Sequence, residues 1–343
     1  MNRIRKLALV TLVGSAFALP AVTAQAQTTL TFSSWVPPTH HLTIWQANWA
    51  ADVEKATGGR VKFQSLPKHP SAPPGTFDAV REGLVDLSFT TASYTPARHV
   101  LPKMPELPGA GDTAEVNSVA YSRIHWKHFH KVGEYNGVKL LAVWTHGPGQ
   151  MHTKKPLASL ADFKGLKVRT GGGVSEEVIT ALGGSPFFKP AGESYELLKS
   201  GVADGIFFPL ESIVSFKLDT VLGQTTIFPG GLYSSAFGFF MNQDKWNKLS
   251  KQDQDIVEKH GFEYAARSNG QSWDAADQKG LAAIKGSSTM KLVNADAALL
   301  AEARKRSAPI VEEWIKQATA KGVNAKAILA EFHAELKKVA TGR

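Results

Sequence analysis

The sequence predicts a two-lobed α/β protein, and three observations carry the prediction. Short β-like runs alternate with helical periodicity over residues 30–90, a β-α-β-α-β opening that implies a parallel sheet with helices on its faces. The alternation stops at a loop rich in proline and glycine, residues 96–111, and restarts over 166–208. From Asp244 onward helical periodicity dominates. Two αβ halves with the chain passing between them make a bilobed molecule, and ligands of such folds sit in the crevice at the carboxyl ends of strands.

The elements follow in order. Residues 30–36 (LTFSSWV) read as a strand. Ile44, Trp45, Trp49 and Val53 give 42–57 a helical period, which Gly58 and Gly59 stop. A strand is expected over 61–66, a helix over 77–82 ended by Gly83, and a third strand over 87–90. Beyond the loop, a helix over 113–134 leads into a strong strand, 138–145 (VKLLAVWT). Residues 166–170 are a strand and 175–182 a helix closed by Gly183 and Gly184. Residues 186–189 and 205–208 are extended, with a helix over 193–200 between them. Residues 226–228 and 236–242 (AFGFFMN) look like returning strands. The helical remainder breaks near Gly286; 296–321 is amphipathic, with Asp296 as N-cap and Pro309 as a kink or break, and 325–340 is amphipathic again.

The N-terminus sets the compartment. Arg3, Arg5 and Lys6 precede an apolar run over 7–19, and Ala24-Gln25-Ala26 supplies a small-x-small cleavage pattern. This is a secretory signal peptide, expected to be cleaved after Ala26 and to place the protein in the periplasm. The mature chain then begins at Gln27 with 317 residues, and its net charge falls from +9 to +6. No later stretch approaches the roughly 20 apolar residues of a membrane span, so no membrane insertion of the mature chain is expected. The absence of cysteine excludes disulfides, thiolate nucleophiles and thiolate metal ligands. The lysines are spread along the chain without interleaved aromatics, which fits a solvated basic surface that steers anions, not a nucleic-acid partner.

The most informative stretch is KGLKVRTGGG, residues 164–173. Arg169 ends an expected strand and three glycines follow. A Walker loop would need a lysine after the glycines, and a dinucleotide fingerprint would need glycine where Glu176 stands. Two readings stay open on the residues alone. A strand-end guanidinium can grip a carboxylate bidentately, with Gly171 and its neighbours allowing close approach and the following helix adding its positive end. Equally, Arg169 is a surface arginine paired with an acid.

Other sites are weaker. His125 and His128 share an expected helix face but lack the acidic partner of a zinc motif, so neither metal nor cofactor is expected. His41 follows a strand end and can reach the crevice. No Gly-x-Ser-x-Gly elbow is present and nothing pairs with Asp204, so the chain does not read as an enzyme. The alternative of another class is an exported α/β hydrolase or isomerase. Trp35, Trp144, Phe187, Phe188, Phe207, Phe208 and Tyr233 lie near expected strand ends, and some of them line the crevice together with Tyr94.

Four blocks carry a resemblance: LADFKGLKVR (160–169), ALGGSP (181–186), GESYELLKSGVADG (192–205) and MNQDKWNKL (241–249). In order and spacing they resemble the solute-binding proteins of tripartite ATP-independent periplasmic (TRAP) transporters, the DctP-type receptors, over essentially the whole mature chain. An ABC-type receptor is disfavoured by that order. The resemblance implies a two-lobed periplasmic binding protein fold with crossing strands and a long connecting helix. Residues 27–145 form mainly the first lobe, 146–240 mainly the second, with the clamp, and 241–343 a helical region whose long helix spans both. It implies that Arg169 salt-bridges a ligand carboxylate, that the partners are the small and large TRAP membrane subunits, and that the receptor is a monomer. Some members carry a second arginine about twenty residues before the clamp, where this chain reads HGPGQMH (146–152), and an asparagine where it has Phe208. Both differences point to an organic monocarboxylate with an aromatic or apolar body. The alternatives are a small 2-oxo or 2-hydroxy acid or a C4-dicarboxylate. Trp35, His41, Tyr94, Trp144, Gly171, Phe188, Phe208 and Tyr233 are the residues expected to join Arg169.

Overall fold

The computed structural model describes residues 27–342; the expected signal peptide, residues 1–26, lies outside the described residues. Strand β1 (Thr28–Phe32) turns Leu30 and Phe32 inward and pairs in parallel with β2 (Val61–Ser65). Between them α1 (His41–Ala56) buries Leu42, Trp45, Trp49 and Val53, the helical stripe read from the sequence. Helix α2 (Thr76–Arg81) leads to β3 (Leu87–Thr91), buried at every position as a central strand must be. Helix α3 (Ala114–Ile124) starts at Thr113, whose hydroxyl accepts from the Val116 N–H, and β4 (Val138–Thr145) follows.

The single helix expected over 113–134 is three pieces. A π turn (His125–Phe129) and a 3-10 turn (His130–Val132) succeed α3, and Gly133 ends them at φ 85°. The extra residue per turn breaks the shared histidine face: His125 is buried, while His128 pairs with Glu331 at 2.8 Å.

The second half contains β5 (Gln150–Thr153), β6 (Lys167–Thr170), α4 (Val174–Leu182), β7 (Ser185–Phe188), α5 (Ser194–Lys199), β8 (Gly205–Phe208), α6 (Glu211–Ser215) and β9 (Gln224–Ile227). Strand β10 (Ala236–Asn242) follows, then α7 (Gln243–Lys248), α8 (Lys251–Lys259), α9 (Phe262–Gly286), β11 (Lys291–Asn294), α10 (Ala297–Ala320) and α11 (Ala325–Ala340). Asp296 caps α10 through the Leu299 N–H. The helix continues across Pro309 instead of breaking, because Pro309 and Lys305 are exposed and the carbonyl the proline leaves unpaired meets water.

The strands form two sheets, in the orders β2-β1-β3-β10-β4 and β11-β9-β5-β8-β6-β7. Each sheet is parallel except for one strand. β10 runs antiparallel to β3 and β4, and β5 antiparallel to β8 and β9. The chain enters both directly from the other sheet, β5 after β4 and β10 after β9, whereas β11 is reached from β10 through α7, α8 and α9 and runs parallel to β9. Residues 236–240, at the end of the block assigned to the second lobe, therefore belong to the first sheet. The two crossing segments are tied by Gly149 N–H to Tyr233 O at 2.8 Å and Leu232 N–H to Gly149 O at 3.2 Å. Helix α9 packs on α1, α3 and β4 on one side and on α6 and β11 on the other, so it spans both sheets. No helix among the described residues is long and apolar enough to cross a membrane.

Candidate ligand-binding site

The site lies between the sheets, beside the crossing segments. Strand β6 sits between β8 and β7 and delivers Arg169 at its carboxyl end, where the side chain is 1% exposed. Its Nε and Nη2 donate to the Lys189 carbonyl at 2.8 and 2.5 Å, which fixes the plane of the guanidinium. A guanidinium has five N–H bonds, so the edge carrying Nη1 and the second N–H of Nη2 remains. Nη1 has no partner among the described residues, and none of their carboxylates forms an ion pair with Arg169. Burial lowers the Arg169 pKa and the Tyr94 and Tyr233 phenols raise it, but the group stays charged. Phe208 lies under the guanidinium at 4.4 Å from its ring centre. The structure thus holds a buried cation with no ion-paired carboxylate among the described residues: the Tyr94 hydroxyl lies beside it and Glu193 acts on it only from a distance, an arrangement that favours an incoming anion.

The glycine run has a physical reason. A Cβ on Gly172 would stand 2.7 Å from the Ser93 carbonyl oxygen, and one on Gly173 would stand 3.2 Å from Ser93 Cβ; both have positive φ. Ser93 follows β3, so the glycines let the facing lobe close on this backbone. The start of α4 is also taken by that lobe. Glu106 accepts from the Ala236 N–H at 2.8 Å and lies against Val174. Burial pushes its carboxyl up to about 8. The helix end expected to meet the ligand meets Glu106 instead.

A narrow cavity of about 50 Å³ opens from Arg169. Trp35, Tyr94, Phe208, Tyr233 and Gly171 line it. Three of these rings are held by their polar ends: Trp35 Nε1 donates to Phe89 O, Tyr233 OH donates to Phe207 O, and the Tyr94 hydroxyl accepts from the Ala191 N–H. Phe216, Phe237 and Trp273 complete the aromatic wall.

Three expected residues are not in this wall. Trp144 is fully buried behind it, stacked on Phe237 at 6.0 Å and edge-on to Trp45 at 5.0 Å, because strand alternation turns it toward α1. Phe188 ends the edge strand β7 outside the cavity lining, packed on Tyr94 at 5.6 Å and against Gly172. His41 is the first residue of α1 and points to Ser272 on α9, with Nδ1 3.0 Å from the hydroxyl. Its neighbour His40, the N-cap, enters the cavity instead.

His40, His41 and Glu211 place donor atoms within 4.8 Å of one another, the composition of a cation site. The hydrogen bonds assign it differently. His40 Nδ1 accepts from the Leu42 N–H, so the neutral ring carries its proton on Nε2, 3.6 Å from Glu211 Oε1. That tautomer offers no lone pair to a metal. Burial raises the Glu211 carboxyl, but His40, His41 and the Ser212 hydroxyl outweigh it and hold it at about 2. A polar tie therefore joins α1 of one lobe to α6 of the other beside the cavity. No local signal in the sequence marks Glu211 or Trp273 as cavity residues, since one sits in a five-residue helix and the other on a long amphipathic one.

The family model described as bacterial extracellular solute-binding protein, family 7 (DctP) matches residues 32–317. A TRAP periplasmic solute-binding protein from Bordetella bronchiseptica, solved with bound (R)- and (S)-mandelate, is 44% identical, covers 91% of this chain and 99% of its own, and superposes with a TM-score of 0.89. One from Rhodoferax ferrireducens T118, in complex with copurified benzoate, is 25% identical over 92% and 99% of the two chains, with a TM-score of 0.84. An outer membrane transporter protein, TsaT, of Comamonas testosteroni is 28% identical over 98% of both chains. The chain belongs to extracellular solute-binding protein family 7, the DctP-type solute-binding receptors of TRAP transporters.

Proposed function

We propose that the protein captures an aromatic monocarboxylate in the periplasm and delivers it to the small and large membrane subunits of a TRAP transporter. The observation that carries this reading is Arg169: a buried guanidinium with no acidic partner among the described residues, its free edge at a cavity walled by rings. One unneutralised cation matches one carboxylate. The rings match an apolar or aromatic body, with offset and edge contacts worth about 0.5–1.5 kcal/mol per pair. The mandelate and benzoate complexes of the relatives support the same ligand class. The relatives are solute-binding receptors, and on that reading the ligand is bound and released unchanged. On this reading the mature receptor is a monomer beginning at Gln27, without a nucleic-acid partner and without membrane insertion of the mature chain.

A thermal-shift screen over organic acids, followed by calorimetry, tests the reading. Benzoate, mandelate or a related acid should stabilise the protein by a few kcal/mol at saturation and show no turnover. Stabilisation by dicarboxylates or sugar acids alone would exclude the proposal. Mass spectrometry of native periplasmic material checks the processing, and a mass retaining residues 1–26 would contradict cleavage.

A further inference from the structure

His146 is the first residue after β4, on one of the two crossing segments, and it lines the cavity. Its Nδ1 lies 2.5 Å from the carbonyl oxygen of Gly147. A carbonyl only accepts, so Nδ1 carries the ring proton and Nε2 keeps a lone pair. Burial lowers His146 to about 4, against the raising influence of the Gly147 carbonyl and Glu211, so the ring is neutral at neutral pH. No described residue donates to Nε2. The ring is held edge-on to Tyr233 at 5.2 Å and tilted against Trp273 at 5.6 Å, so its orientation is fixed by packing. Tyr233 stands between the two ends of the site, packed against His146 and close enough to the Arg169 charge to influence it.

The wall therefore presents a guanidinium that only donates and an imidazole nitrogen that only accepts. A bare ring edge against Nε2 leaves the acceptor unpaired, and a second carboxylate there sets acceptor against acceptor. A hydroxyl satisfies it. We propose that His146 determines specificity for a hydroxylated aromatic monocarboxylate, accepting a hydrogen bond from the ligand hydroxyl while Arg169 holds the carboxylate. This rests on the aromatic-monocarboxylate reading above and names the polar group that the ligand adds to it.

Three probes separate the possibilities by calorimetry on the mature protein: phenylacetate, mandelate and 3-hydroxyphenylacetate. The native protein should bind at least one hydroxylated acid tenfold or more tighter than phenylacetate. Preference for mandelate places the hydroxyl beside the carboxylate, and preference for 3-hydroxyphenylacetate places it on the ring. In His146→Asn the short amide can still donate to Gly147, but nothing replaces Nε2. The preference should fall below threefold while phenylacetate binding stays within threefold. His146→Gln, whose amide oxygen reaches the Nε2 position, should restore part of it. In nitrogen NMR of the native protein, the unprotonated Nε2 resonance should shift on binding a hydroxylated acid and not on binding phenylacetate, a readout that needs no variant. Equal affinity for all three acids, or a preference that survives undiminished in His146→Asn, overturns the inference and leaves the aromatic-monocarboxylate reading standing. Failure of all three to bind overturns both.

Discussion

Replacing Arg169 by methionine separates ligand binding from folding, because the two effects draw on different faces of the guanidinium. One face braces the fold: Nε and Nη2 donate to the Lys189 carbonyl, and the plane lies over Phe208. Losing it orphans a buried carbonyl, at about 1–3 kcal/mol, and forfeits a cation–π contact worth about 1–2 kcal/mol. The opposing effect is removal of a charge that is 1% exposed and has no acidic partner among the described residues, whose burial costs several kcal/mol. The two nearly cancel, and methionine conserves much of the volume. The ligand-free melting temperature of Arg169→Met should therefore stay within about 5 °C of native, since each kcal/mol moves a domain of this size by roughly 2–4 °C. Ligand affinity has no such compensation. A charge pair lost from a closed cleft costs about 2–5 kcal/mol, roughly 30-fold to several thousandfold in Kd. Arg169→Lys should do little better, because one ammonium cannot serve both the Lys189 carbonyl and a carboxylate with the geometry of the fork. Differential scanning fluorimetry reads the first quantity and isothermal calorimetry with the best native ligand the second. An affinity within tenfold of native would refute the clamp, and a ligand-free melting point lowered by more than about 10 °C would show that Arg169 is chiefly a brace.

Three further outcomes are expected. Phe208→Asn removes the ring under the guanidinium and opposite Phe216, so it should weaken an aromatic acid more than tenfold by calorimetry; an unchanged Kd would remove Phe208 from the binding wall. Gly172→Ala places a Cβ 2.7 Å from Ser93 O at φ 84° and should hold the lobes apart, visible as lost affinity and a larger radius in solution scattering with ligand, whereas Gly286→Ala, with no atom within 4 Å and far from the cavity, should bind normally. His125 is buried and held neutral, its pKa lowered by burial to about 3, so below pH 6.5 the unfolded chain takes up a proton that the fold refuses. Stability is lost as pH falls from 6.5 toward 3, and His125→Phe should flatten that decline by about 1.4 kcal/mol per pH unit in urea titrations; identical slopes would show that His125 is protonated in the fold.

Much of this protein is written locally. The stripe Leu42, Trp45, Trp49, Val53 and the glycines after it define α1, and VKLLAVWT and AFGFFMN define β4 and β10 with the bounds the fold adopts. The motif order from Leu160 to Leu249 identified the family, and KVRTGGG placed a cation at a strand end facing an open backbone. These features are legible because propensity, periodicity and turn chemistry act between residues near in sequence. What sequence could not supply is long-range. The strand β5 (QMHT) carries no apolar alternation, and it becomes a strand because β8 and β9 flank it. Arg169 was open to reading as a surface ion pair until tertiary packing buried it without an acid. Whether a ring reaches the cavity depends on one step of strand or helix phase. Trp144 faces α1, His41 faces α9, and the adjacent His40 turns inward to meet Glu211 from the other lobe. Chain composition chose which side chains were available. Only the closing of two sheets across the crossing segments decided which of them share a cavity, because those contacts join residues far apart in sequence, 97 positions for Tyr94 and Ala191.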